Sequence, residues 1–424
     1  MSIVWEISEL PSGLRVVTTP VPTAQSVSVN IFVGAGSRGE SERTGGVAHF
    51  LEHMVFKGTE ARPTAADIAE AIEGAGGVLN AYTSKELTCY WNHVPYDELP
   101  KAMDVLSDMV LNSLLDSEEI DRERSVVQQE IKRAHDQPTA YVGELLGRAI
   151  YGDHPMGRPT AGTEETVEHL KRDDFQDWLG TWYGAGNMVL SIAGNVTHET
   201  VMELAGRYFA NGGSQTPPPM PGLTDELPAT RVVSDERPIS QTNLALAMPA
   251  LAREDPDRYI LMILNAILGR GMSSRLFKEV RERRGLAYSV GSSVSRHSDT
   301  GTLSISAGVS PEKVQEAVTV ILEELEKLTE EIVGEDELKK ARDYTVGSFR
   351  LSLESTMALG QRAGEALLTL GKIEPIDNVV ESLRAVTSEE VQRVARTVLK
   401  RERAAIALVG PSVDEAALEA LLAG

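Results

Sequence analysis

Positive charge is scarce in this sequence: 41 lysines and arginines stand against 63 aspartates and glutamates, for a formal net charge of −22. A surface so acidic argues against nucleic acid or anionic membrane as partner and favours basic substrates. Cysteine is nearly absent. The single Cys89 excludes an intrachain disulfide framework and suits a reducing compartment. Long apolar runs are missing too: the greasiest, Tyr259–Leu268 (YILMILNAIL), falls far short of the about 20 residues that a bilayer span requires, and it reads as a buried helix. The opening MSIVWEISELPSGL has no basic segment followed by an apolar core, so no signal peptide is expected. The expectation is a soluble, cytoplasmic chain that binds neither nucleic acid nor membrane.

What the 424 residues do contain is ordinary globular composition, 42% hydrophobic and 25% charged, at a length for two or three domains. The clearest break is NGGSQTPPPMPG, Asn211 to Gly222, where glycines lead into an extended proline run. It sits mid-chain, and landmarks recur on either side of it. VSVNIFV (Val27 to Val33) matches TNLALAM (Thr242 to Met248), and the amphipathic stretch from Tyr96 to Val110 matches that from Pro311 to Leu325. LSIAGNVTHETVMELA, from Leu190, matches IALVGPSVDEAALEAL, from Ile406. Order and spacing are kept, which predicts a tandem duplication. We expect an N-terminal domain over 1–215, a linker over 216–227 and a homologous C-terminal domain over 228–424. Strand and helix patterns do not alternate regularly, so each domain is expected to be α+β, a largely antiparallel sheet covered by helices.

The stretch GGVAHFLEHMVFKGT, Gly45 to Thr59, places His49, Glu52 and His53 within an arc of about 100° on a helix. Histidines four apart can offer imidazole nitrogens to one tetrahedral zinc ion. Here the glutamate precedes the second histidine, giving HxxEH, the reverse of the commoner HExxH order. Glu52 then lies beside the ligands, where it can take a proton from water. Such a pattern also arises by chance, so a third ligand is required.

A second stretch, Asp116 to Asp136 (DSEEIDRERSVVQQEIKRAHD), starts with a helix-capping pattern, Asp116 with Glu119. On a wheel Ile120, Val126, Val127, Ile131 and Ala134 form an apolar stripe, with Glu123 and Glu130 in its middle. Buried carboxylates must be paired, protonated or metal-bound. The spacing predicts Glu130 as third ligand and Glu123 as the partner that orients a ligand imidazole; salt bridges to arginines of a neighbouring helix are the alternative. At the equivalent places of the second half stand Ala341 and Ser348, and that half also lacks HxxEH.

HFLEHMVFKGT, with the final glutamate of ERSVVQQE, Glu130, 77 residues past His53, resembles the pitrilysin/insulinase-like metallopeptidases, in particular the mitochondrial-processing-peptidase-like bacterial branch. GGVLNAYTSKELTCYW, HPMGRPTAGTEETV and SSRLFKEVRERRGLAYSV extend the resemblance over essentially the whole chain. It implies one Zn2+ per chain on His49, His53 and Glu130, Glu52 as general base and Glu123 as accessory carboxylate. It further implies that Asn80 and Ala81 lie on an edge strand that receives peptide, and that Arg281 and Tyr288 hold the substrate backbone over the metal. Double-length family members carry four such domains in a clamshell. Half-length therefore implies two subunits, a homodimer or a heterodimer with a related chain, with Arg281 and Tyr288 of one completing the site of the other. The expected function is a zinc endopeptidase acting on peptides, possibly basic ones.

Three other readings carry less. A non-catalytic assembly subunit of the same fold would have lost motif residues, and here every position is filled. GAGSRG (Gly34 to Gly39) fits a dinucleotide-binding GxGxxG, but ESERTGG follows instead of an apolar helix. Cys89 and His93 form C-x3-H in strand-like sequence, where Cys89 reads as a packed residue.

Overall fold

The structure, a computed structural model, describes residues 3–209, 215–224, 228 and 230–423. Part of the expected linker, residues 225–227, lies outside the described residues, as do 211–214 of the glycine-proline stretch. The described chain forms two compact units, each built on one sheet.

The first sheet contains β1 (Glu6–Glu9), β2 (Arg15–Pro20), β3 (Ser26–Val33), β4 (Val78–Thr83), β5 (Thr88–Pro95) and β6 (Met188–Gly194), in the order β1-β2-β6-β3-β5-β4. The second contains β7 (Val232–Glu236), β8 (Thr242–Ala250), β9 (Ala287–Arg296), β10 (Gly301–Val309) and β11 (Ala405–Gly410), in the order β7-β11-β8-β10-β9. From β2 onward the first order maps strand for strand onto the second. Both have one parallel pair, β2 with β6 and β7 with β11, and the remaining pairs are antiparallel. The duplication and the helix-covered, largely antiparallel α+β fold are thus both present.

The compact units are not simple sequence halves. One comprises Met1–Ile131, Pro159–Pro221 and Arg350–Ile376; the other comprises Lys132–Arg158, Gly222–Phe349 and Asp377–Gly424. The spans 1–215 and 228–424 describe the order of the repeats along the chain, not the membership of these units. Packing gives the reason. Helix Pro138–Tyr151 lays Val142, Leu145, Leu146, Ala149 and Ile150 on Ala245, Ala247, Ala405, Ala407 and Val409 of the second sheet. Helix Thr356–Leu370 covers the face of the first sheet that carries Val17, Phe32 and Val189, with Ala363 and Leu367 against them. It lies close enough that a Cβ at Gly364 would stand 2.3 Å from the Phe32 ring, so the position takes no side chain. The opposite face, with Val29, Ile31 and Val33, packs on helix Leu99–Asn112. Covered on both sides, β3 buries even Ser28 and Asn30, and Asn30 donates to Ser28 Oγ and to the Ser191 carbonyl.

Tyr259–Leu268 lies within the largely buried helix Arg258–Gly269, as its composition demands. Cys89 is wholly buried. Among the described residues no helix is long and apolar enough to cross a membrane.

Candidate metal centre

The histidine helix runs Val47–Val55. Val47, Ala48, Phe50, Leu51, Met54 and Val55 are buried and fix its rotation, which leaves His49, Glu52 and His53 partly exposed on the remaining face. Its start is held by backbone chemistry. Gly46 has φ 91°, in the left-handed region, and a Cβ there would meet the Ala161 carbonyl oxygen at 2.5 Å. The buried Glu40 carboxylate accepts from the Gly46 N–H (2.8 Å) and the Ala48 N–H (2.9 Å). A negative group at that end satisfies otherwise orphaned donors and complements the helix dipole.

The glutamate helix, Ser117–Asp136, is capped by Asp116, whose Oδ1 accepts from the Glu118 and Glu119 N–H groups at 2.9 and 3.1 Å. The expected apolar stripe is corrected here. Ile120 and Val127 are buried, but Val126 is 51% exposed and points away. Glu123 shares the buried face, whereas the Glu130 side chain is half exposed at its rim. Glu123 faces the histidine helix as the wheel predicted, and Val126 alone of the stripe's apolar residues is turned to solvent.

His49 Nε2 lies 3.8 Å from Glu130 Oε1, and His53 Nε2 lies 3.5 Å from Glu130 Oε2. One ligand atom from each of His49, His53 and Glu130 can be chosen so that all fall within 4.8 Å of one another. A tetrahedral zinc ion with ligands about 2.0–2.2 Å away separates them by about 3.3–3.6 Å, so small side-chain adjustments suffice. The two imidazole rings meet edge-on, with centroids 4.7 Å apart. His53 Nδ1 lies 2.9 Å from Glu123 Oε1, which accepts a hydrogen bond from the Nδ1–H and leaves Nε2 facing Glu130. Lys57 Nζ lies 2.6 Å from the other Glu123 oxygen and fixes the carboxylate in turn. The donor set and its support fit a divalent metal.

Charge in the site fits as well. Burial, then the neighbouring His53, pulls the His49 pKa down to about 4, so this imidazole offers a lone pair. Burial also works against a charge on His53, but the hydrogen bonds and charges of Glu123 and Glu130 outweigh it and lift His53 to about 9. Burial would raise Glu123; hydrogen bonds from His53 and Lys57 bring it below the usual carboxylate range. Two carboxylates therefore hold a positive charge where the metal would sit. At pH 7 the protein stripped of metal carries that charge as a proton on His53. A zinc ion held at His53 Nε2 would displace it, so uptake at pH 7 is expected to release about one proton, with affinity rising about tenfold per pH unit until about pH 9. Calorimetry in buffers of different ionisation enthalpy measures the release, and Glu123→Gln should reduce it.

Glu52 accepts a hydrogen bond from the Thr83 hydroxyl. Burial raises its carboxyl above the usual range, opposed by Thr83 and by His53. Asn80 and Ala81 lie on β4, the terminal strand of the first sheet, and Asn80 Oδ1 accepts from the Ala81 N–H at 2.8 Å. Arg281 and Tyr288 belong to the second unit. The Arg281 guanidinium rests 4.8 Å from the Phe277 ring centroid and 5.5 Å from that of Tyr288, and Tyr288 is 82% exposed.

Sequence reasoning missed Glu40, Lys57 and Thr83. Lys57, four residues past His53, had a spacing signal. Glu40 and Thr83 reach the histidine helix from a loop and a hairpin, and no local pattern announces either.

Two family descriptions match the chain: "Insulinase (Peptidase family M16)" over residues 15–164 and "Peptidase M16 inactive domain" over residues 169–344. The second falls mostly on the half that lacks HxxEH. A chain from Streptomyces coelicolor called an uncharacterized zinc protease is 38% identical over 414 residues, covering 96% of this chain and 90% of that one. One from Bacillus subtilis with the same description is 37% identical, covering 95% and 97%. In fold, the crystal structure of a protease from Helicobacter pylori matches with a TM-score of 0.89 at 23% identity, covering 97% of this chain and all of that one. A peptidase M16 inactive domain from Pseudomonas fluorescens matches with a TM-score of 0.87 at 20% identity, covering 96% and 98%. With the HxxEH helix and its distant glutamate brought together on this fold, the chain belongs to the insulinase-like M16 peptidase family.

Proposed function

We propose that this chain is a zinc-dependent endopeptidase that hydrolyses peptides or unfolded protein segments. The convergence of His49, His53 and Glu130 from two distant helices carries the reading, with Glu52 beside them and outside the ligand group. Zinc held by these three would keep a position open, lower the pKa of water there towards about 7 and polarise the scissile carbonyl. Glu52 takes the proton from the attacking water and later gives it to the leaving amine. Glu123 holds His53 in the required tautomer, and Lys57 holds Glu123.

The edge of β4 receives the substrate as an added strand at Asn80 and Ala81, where backbone pairing gives affinity with little sequence demand. Arg281 grips a substrate carbonyl and Tyr288 stabilises the developing oxyanion. In a homodimer these two come from the second copy and close the chamber over the metal. The net charge of −22 favours basic peptides, as in processing of basic leader segments, and the lone buried Cys89 suits a cytoplasmic setting.

The test is cleavage of an unstructured peptide library by the purified chain, with loss on chelation and return with zinc. No cleavage by the zinc-loaded chain would overturn the reading. In the same assay, mixing inactive Glu52→Gln subunits with inactive Arg281→Ala subunits is expected to restore part of the activity, up to about a quarter when one intact site forms in half of the dimers. Mixed dimers that form and stay inactive would exclude shared sites.

A further inference from the structure

A glutamate on a helix has three side-chain torsions, so a catalytic carboxylate needs something to hold it. Among the described residues the hydrogen bond to Glu52 comes from one group, the Thr83 hydroxyl, at 2.5 Å on Oε2. Resting on the peptidase reading above, we infer that Thr83 is a positioning residue for Glu52: it holds one carboxylate oxygen so that the other is presented to the attacking water.

The hydroxyl is committed to this bond. The neighbouring Thr88 hydroxyl donates to the Ala35 carbonyl at 2.9 Å and stands 3.4 Å from Thr83 Oγ, so it does not compete for the carboxylate. Thr83 is β-branched on a strand, which restricts its side chain to few orientations. Its backbone is more firmly placed than an edge strand alone would allow. Thr83 pairs with Thr88 as the last rung of the β4–β5 hairpin. The turn beyond closes with the Ser84 N–H and Oγ both donating to the Leu87 carbonyl, at 2.8 and 2.9 Å.

The tip of that turn is tied to the loop after β3. The Ser37 N–H donates to the Ser84 carbonyl at 3.0 Å, and the Arg38 N–H donates to the Lys85 carbonyl at 2.8 Å. A Cβ at Gly36 would stand 2.4 Å from the Ser84 oxygen, so this approach needs glycine. Arg38 and Glu86 form a buried ion pair at 2.8 Å that clamps loop to turn. Because both partners are buried, neither charge can turn to water, and each is held facing the other. Two residues further, the same loop supplies Glu40, the cap of the histidine helix. One loop thus sets both the carboxylate and the hydroxyl that holds it.

The test compares Thr83→Val, which keeps the shape and removes the donor, with Thr83→Ser, which keeps the donor, in the full-length zinc-loaded protein. Thr83→Val is expected to lower kcat by about 10²-fold, the order that a misplaced catalytic group costs, with KM within about twofold of the parent. Zinc content, zinc affinity by chelator competition and Tm stay at parent values, and Thr83→Ser restores kcat to within about threefold. A Thr83→Val protein with unchanged kcat overturns the inference. So does Thr83→Ser as impaired as valine, or loss of zinc in either variant. If the parent itself cleaves nothing, the peptidase reading fails first and this inference falls with it.

Discussion

Glu52→Gln is expected to lower peptide hydrolysis by about 10²- to 10⁴-fold while the protein keeps its zinc. Glutamine has the size of glutamate and its amide oxygen can still accept from Thr83, so the local packing is preserved. What it cannot do is take a proton. Glu52 stands outside the group formed by His49, His53 and Glu130, so metal content should not follow activity down. Partial burial raises the Glu52 carboxyl above the usual range, which suits a group that must hold a proton between the attack on the carbonyl and the departure of the amine. Metal analysis beside a cleavage assay checks this. Zinc lost together with activity would make Glu52 a ligand and refute its assignment as base.

Glu130→Ala should have the opposite signature, with metal and activity lost together. Its carboxylate is the only acidic member of the ligand group and the only one from the glutamate helix, so without it two imidazoles on adjacent turns are left to hold the ion. Because the side chain is half exposed, its removal opens no core cavity, and the metal-free protein should lose only the modest stabilisation that Glu130 gives the charged His53, a small drop in Tm at pH 7. The expected protein emerges from dialysis without zinc. Glu123→Gln makes the instructive contrast, since removing a partner that only orients a ligand costs about 10- to 100-fold in metal affinity and leaves some activity at high zinc. If Glu130→Ala kept stoichiometric zinc, the third ligand would have to be sought elsewhere.

Legibility in the sequence followed the range of the interaction concerned. HxxEH is a local pattern, and six buried apolar residues oriented its helix as the spacing predicted. The duplication was visible because strand order and offsets survive in both halves. Glu130 does lie within reach of His49 and His53, but the wheel argument that singles it out is only half right in its physical premise: Glu123 is buried as that argument requires, whereas Glu130 sits exposed at the rim. A carboxylate reaching a metal from the edge of a helix needs no burial, and burial was all that a wheel could address. The Thr83 hydroxyl and the Glu40 cap could not be read at all, because each depends on where a hairpin or loop lands in space. Arg281 and Tyr288 were visible only through family resemblance, for an arginine near a helix end and an exposed tyrosine have no spacing signature of their own.

The two segments that cross between sequence halves bear on how this chain could have arisen. Without Thr356–Leu370, the first repeat would turn Phe32, Val17 and Val189 to water; without Pro138–Tyr151, the second would do the same with a row of alanines and Val409. Severing the gene at its midpoint would therefore yield two products, each missing a wall. Neither repeat closes its own sheet without a helix from the other half, which ties the second repeat to the first although it lacks the HxxEH histidines.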